Sequence, residues 1–206
     1  MLSWQQALQR LQEGNLRFAA GDAGFDGAGS HERRRELVTG QNPFAIVLGC
    51  SDSRVPAELV FDQGIGDLFV IRIAGNIVAP SQIGSVEFAA ESFSTPLVVV
   101  LGHTQCGAVK ATLSEIVRPT EQRSPNLRAI VERIRPALES LVHTELSRDP
   151  DALMHQAIRS NVRASVNQLR HGSEILERLC AQGGLRIIGA EYSLESGVVD
   201  FLDDVS

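Results

Sequence analysis

The stretch from Phe44 to Arg54, FAIVLGCSDSR, is an unbroken apolar run that ends at a glycine and opens directly into Cys50, Asp52 and Arg54. A second run, LVVVLG at 97–102, ends the same way and leads into His103 and Cys106. A third apolar run occupies 69–73, and helical stretches are expected at about 81–93 and 106–118. Short continuous apolar runs bounded by glycine read as strands buried on both faces of a sheet. The alternation of strand and helix predicts an α/β fold with a mostly parallel central sheet covered by helices.

The flanking sequence completes that architecture. Ser3 followed by Gln6 reads as a capping box, and Trp4, Ala7, Leu8 and Leu11 recur at helical spacing, so the chain opens with an amphipathic helix to about Ala20. The glycine-rich connector GDAGFDGAGS and a short helix at 32–39, stopped by Gly40, complete an N-terminal helical arm over residues 1–40. Further on, a helix is predicted over 126–142 with Asn126 as its N-cap and Pro136 ending or kinking it. A helical stretch from about Asp151 to Cys180, broken near Gly172, leads to LRIIGAEY and GVVDFL, read as a terminal strand and a shorter antiparallel return. The expectation is about four parallel strands plus that short antiparallel one, in a single domain spanning residues 1–206.

A chain of 206 residues with 43% hydrophobic composition can bury a sizeable core. Its net charge of -6 offers no broad positive field, and Arg33, Arg34 and Arg35 are flanked by Glu32 and Glu36, which argues against nucleic acid as a partner. Gln5, Gln6, Gln9, Arg10, Gln12 and Glu13 interrupt the first segment, so no signal peptide is expected there. No run reaches the ~20 apolar residues that span a bilayer, and a cytoplasmic protein without a membrane partner is expected. Three widely spaced cysteines are an odd count and read as free thiols rather than disulfides.

In a parallel α/β sheet the loops after neighbouring strands converge on one crevice. Cys50, Asp52, His103 and Cys106 therefore meet there, giving two thiols, an imidazole and a carboxylate, a donor set that suits zinc. Cys106 is expected beside a helix N-terminus, whose dipole favours the thiolate. If Asp52 binds the metal it fills the fourth position; if it pairs with Arg54 instead, that position opens. Cys180, on a leucine-rich helical stretch, reads as a packing residue. Gly64 and Gly66 do not make a dinucleotide loop, because Phe69 stands where the third glycine belongs and the segment precedes a strand.

The segments CSDSRVPAELVFDQGIGDLFVIRIAGN (50–76), GSVEFA (84–89) and GHTQCGAVKA (102–111) resemble the β-class carbonic anhydrases, and the similarity extends to LRIIGAEYSLESGVVDF near the C-terminus. The resemblance implies reversible hydration of CO₂ to bicarbonate by zinc-bound hydroxide. One Zn²⁺ per subunit would be held by Cys50, His103 and Cys106, with Asp52 and Arg54 as the dyad controlling the open position and Asp52 a ligand in the closed state. It also implies a homodimer, in some relatives paired to a tetramer, with sites at the subunit interface. Gln41 matches a glutamine that hydrogen-bonds substrate from the partner subunit, although it also reads as a turn residue before Pro43. Phe69 and Phe88 match apolar pocket positions with Ala74 beside them, and they also read as core residues. A tyrosine often stands where this chain has Phe88. Gly107 matches a backbone N–H that holds bicarbonate. A second bicarbonate site with a tryptophan is not expected, because Val47 stands in its place, although Arg72 is retained. Close relatives of the family that act on COS or CS₂ give an alternative substrate reading, and a non-catalytic zinc or bicarbonate-binding protein is a further one. None of His31, His143, His155 and His171 has a local pattern marking it as a proton shuttle.

Overall fold

The computed structural model describes residues 2–24, 30–119 and 124–202. The chain passes through α1 (Trp4–Ala20), α2 (His31–Glu36), β1 (Ala45–Gly49), the one-turn α3 (Ala57–Val60), β2 (Leu68–Arg72), α4 (Pro80–Phe93) and β3 (Leu97–His103). It continues through α5 (Gly107–Val117), α6 (Pro125–Leu138), α7 (Pro150–His171), α8 (Glu174–Ala181), β4 (Arg186–Tyr192) and β5 (Val199–Leu202).

The strands form one sheet in the order β2-β1-β3-β4-β5. The first four are parallel and β5 pairs antiparallel with β4. Every residue of β1 and β3 is buried, which is why neither shows a polar alternation. Successive side chains go to opposite faces. Ala45, Val47, Leu97, Val99 and Leu101 join Ala7 and Leu11 of α1 on one side, while Ile46, Leu48, Val98 and Val100 join Val86 of α4 and Val162, Val166 and Leu169 of α7 on the other. The connection leaving β1 runs to β2 on one side and the connection leaving β3 runs to β4 on the other, so the order reverses between β1 and β3. A ligand crevice belongs at that point.

The capping box at the start of α1 is formed: Ser3 Oγ accepts from the Gln6 N–H at 3.2 Å and Gln6 Oε1 accepts from the Ser3 N–H at 2.8 Å. Within the N-terminal arm, α1 is tied to the body of the protein. Buried Asn15 donates to the carbonyls of Val60 and Gly197 at 3.0 and 2.9 Å and accepts from the Val199 N–H at 2.7 Å. Part of the glycine-rich connector, residues 25–29, lies outside the described residues.

Two helix boundaries differ from expectation. The N-cap of α6 is Ser124, not Asn126; its Oγ accepts from the Leu127 N–H at 3.2 Å. Pro125 takes the first helical position, where a missing N–H costs nothing. Pro136 sits in the last turn and α6 stops two residues later, at Leu138, so residues 141–143 form a separate 3-10 turn. The break near Gly172 is real: α7 ends there and Ser173 caps α8 by accepting from the Leu176 N–H at 3.2 Å. Among the described residues no helix is long and apolar enough to cross a membrane.

Candidate metal centre

Cys50 is the first residue after β1, and His103 is the last residue of the adjacent β3. Cys106 follows through a tight turn in which Gln105 adopts a left-handed conformation, φ 56°, an uncommon one for a residue with a Cβ. The turn is pinned to β4, because the Thr104 N–H donates to the Tyr192 carbonyl at 2.9 Å and Thr104 Oγ1 accepts from the Leu194 N–H at 3.0 Å. These constraints bring the ligand atoms of Cys50, His103 and Cys106 within 4.8 Å of one another, with all three side chains buried.

The donor set fits a metal ion. His103 is fully buried; its Nδ1 lies 2.8 Å from the Thr104 carbonyl, which fixes the proton on that nitrogen, while Nε2 has no hydrogen-bond partner. An orphaned, buried imidazole lone pair beside two thiols is what a cation would satisfy. Cys50 is pushed down to about 4, chiefly by a hydrogen bond from the Cys106 thiol, which outweighs burial, with smaller contributions from the N–H groups of Gly75 and Asp52. Cys106 is pushed upward by the same neighbour and by burial, although the N–H groups of Val109 and Ala108 at the start of α5 pull it down. The free pair therefore holds one proton between two sulfurs, and a divalent ion takes that proton's place.

Asp52 and Arg54 face each other two residues apart. Arg54 Nε and Nη2 donate to the two carboxylate oxygens at 2.9 and 2.8 Å, and the Arg54 backbone N–H adds a third bond at 3.0 Å. The guanidinium holds the Asp52 carboxyl well below the usual carboxylate range. Asp52 Oδ2 is still 3.9 Å from His103 Nε2, so the carboxylate borders the donor cluster without leaving its partner.

Sequence reasoning assigned Arg72 only as a remnant of a second anion site. The structure gives it another task. From the end of β2, its Nε donates to the Cys50 carbonyl at 3.1 Å and its Nη2 to the Asp52 carbonyl at 2.6 Å, holding the backbone that carries both residues. The adjacency of β2 and β1 is what makes this reach possible, and no local motif announces it.

Gly107 is the exposed first residue of α5, and Ala74 is half-buried in the turn whose next residue, Gly75, donates its N–H to Cys50 Sγ at 3.3 Å. The remaining expected residues are elsewhere in the chain. Gln41 is exposed and precedes the amino end of β1, whereas Cys50 follows its carboxyl end. Phe69 on β2 and Phe88 on α4 pack with Phe93 on the α4 side of the sheet, and Phe88 remains 55% exposed. His31, His143, His155 and His171 are all exposed, and among the described residues none joins the Cys50, His103 and Cys106 group. Cys180 is half-buried against the α8 side of the core, and burial pushes its thiol up.

A family model described as carbonic anhydrase matches residues 45–199. A carbonic anhydrase of Mycolicibacterium smegmatis is 41% identical over 194 residues, covering 94% of this chain and 91% of the relative. Carbonic anhydrase 2 of Mycobacterium tuberculosis is 39% identical over 191 residues, covering 93% and 89%. Among solved structures, the β-carbonic anhydrase CcaA superposes with a TM-score of 0.73 at 28% identity, covering 97% of this chain and 92% of that one. With the sheet, the donor cluster and these similarities in agreement, the chain belongs to the β-class carbonic anhydrases.

Proposed function

We propose that the protein catalyses the reversible hydration of carbon dioxide to bicarbonate and a proton at a zinc ion held by Cys50, His103 and Cys106, with Asp52 and Arg54 governing the fourth position. The observation that carries this reading is the two-pronged bond from Arg54 to Asp52 at 2.9 and 2.8 Å, made while Oδ2 lies 3.9 Å from His103 Nε2. A carboxylate this close would become a fourth donor if it turned. Arg54 engages both of its oxygens and leaves that place to solvent. A zinc ion there supplies the Lewis acidity that lets water ionise near neutral pH.

The protein's own groups do the rest. Arg54 contributes positive charge at the rim, Arg72 keeps the Cys50 to Asp52 backbone in register, and the Gly107 N–H, free at the first turn of α5, is placed to hold the bicarbonate anion. Gln41, at the wrong end of β1 for its own centre, is supplied to the centre of a second copy, which makes the working unit a homodimer. Phe69, Ala74 and Phe88 line the apolar substrate pocket in that assembly. Pairing of dimers into a tetramer extends the same interface logic.

Turnover of CO₂, COS and CS₂ by the zinc-loaded protein tests the substrate class. Rapid hydration of CO₂ with little hydrolysis of the sulfur compounds is expected. Preferential COS or CS₂ hydrolysis would replace the substrate while keeping the metal chemistry, and no turnover of any of them would leave a non-catalytic metal site.

A further inference from the structure

Helix α7 carries a regular buried stripe: Ala157, Ile158, Val162, Val166 and Leu169 lie at helical spacing against the sheet. Two polar residues interrupt it, Asn161 and Ser165, each at most 4% exposed. Buried polar groups need partners, and these find theirs in one place. Asn161 Nδ2 donates to the Gly75 carbonyl at 2.8 Å, and Ser165 Oγ donates to the Asn76 carbonyl at 3.0 Å.

The turn they grip is conformationally demanding. Gly75 and Asn76 are both left-handed, with φ 68° and 43°, and a Cβ at Gly75 would lie 2.7 Å from Ile134 Cδ1 and 3.0 Å from Ala108 Cβ. On its other side, Gly75 presents its N–H to Cys50 Sγ at 3.3 Å. A residue whose carbonyl is fixed from one side and whose N–H serves a thiolate on the other transmits position between the two. Hydrogen bonds to a ligating sulfur orient the ligand and draw charge from it, which sets how strongly the metal is held.

We propose that Asn161, with Ser165 one turn further along α7, is a positioning residue for the metal centre: it fixes the Gly75 turn so that its N–H stays aimed at Cys50 Sγ. The inference rests on the metal reading above and adds to it a buried support reaching from the opposite side of the turn. Neither residue touches the metal ligands themselves.

The test uses cobalt(II) as a spectroscopic probe in the full-length protein, with competitive chelator titration for zinc affinity. Asn161→Ala is expected to weaken zinc binding about 10- to 100-fold. It should also move the thiolate-to-cobalt charge-transfer band to lower energy, because the sulfur loses a hydrogen bond. Ser165→Ala shifts both readouts the same way by less, and carries the test if Asn161→Ala fails to fold. Val166→Ala, a packing control on the same helix, lowers thermal stability and leaves both unchanged. A folded Asn161→Ala, or failing that Ser165→Ala, with wild-type zinc affinity and a wild-type band overturns the proposal alone. A wild-type protein that binds neither zinc nor cobalt overturns the metal reading and this inference together.

Discussion

Replacing Gly75 by alanine probes the turn behind Cys50, and its cost follows from two separate features. At φ 68° an L-residue pays about 1–2 kcal/mol for the left-handed conformation. The added methyl would stand 2.7 Å from Cδ1 of Ile134, a residue with no solvent exposure, and 3.0 Å from Cβ of Ala108. Overpacking of this kind costs about 1–3 kcal/mol. Together these give a loss of about 2–5 kcal/mol, and at about 2–4 °C per kcal/mol for a chain of this size the melting temperature should fall by roughly 4–20 °C in differential scanning calorimetry. The steric part is separable. Ile134→Val removes Cδ1, so Gly75→Ala combined with Ile134→Val should lose less than the sum of the two single variants, with the backbone part of the penalty remaining. A Gly75→Ala protein melting within about 1 °C of wild type, or a double variant that is simply additive, would refute this account of the turn.

Arg72→Met removes the donors to the carbonyls of Cys50 and Asp52 while keeping an apolar stem. Because Arg72 is exposed, only a small stability change of about 1 kcal/mol is expected, yet the initial rate should fall at least 10-fold as the Cys50 to Asp52 segment loosens; thermal melts and stopped-flow assays separate the two. In metal-free Cys180→Ser protein the thiolate absorbance near 240 nm should persist at neutral pH and fade with a midpoint near 4, because Cys50 is pushed down to about 4. The sign follows: its ionised form is favoured in the fold, so that stabilising contribution is present above the ordinary thiol range and is lost as pH falls through the folded value. An ordinary thiol midpoint would contradict the Cys50 to Cys106 pairing. Asn15→Ala strips three hydrogen bonds, two of them buried, between α1, α3 and the β4 to β5 hairpin and should destabilise the protein by about 2–4 kcal/mol in urea unfolding without changing zinc stoichiometry.

The sheet was legible because its central strands are buried on both faces. FAIVLG and LVVVLG carry no alternation, and their glycine ends mark where the chain turns toward the crevice. The ligand cluster was legible for the same reason, since Cys50 and His103 stand at the ends of adjacent strands. What stayed hidden depends on tertiary neighbours. Arg72 acts on Cys50 and Asp52 only because β2 lies beside β1, and Asn161 reaches Gly75 only because α7 crosses behind the turn. Asn126 gave way to Ser124 as a helix cap because Pro125 prefers the first helical position, a signal present in the sequence but outweighed by the asparagine. Gln41 lies at the far end of β1 from Cys50, so the substrate contact proposed for it depends on a second chain.

The central claim is that Arg54 keeps Asp52 off the metal and the fourth position open to solvent. Stopped-flow CO₂ hydration by zinc-loaded wild type and Arg54→Ala, at matched zinc content, tests it most directly. The account predicts a fast wild type and a rate at least 100-fold lower in the variant, from losing one preorganised electrostatic partner and releasing the carboxylate. Equal rates in a folded, fully loaded Arg54→Ala protein would contradict it.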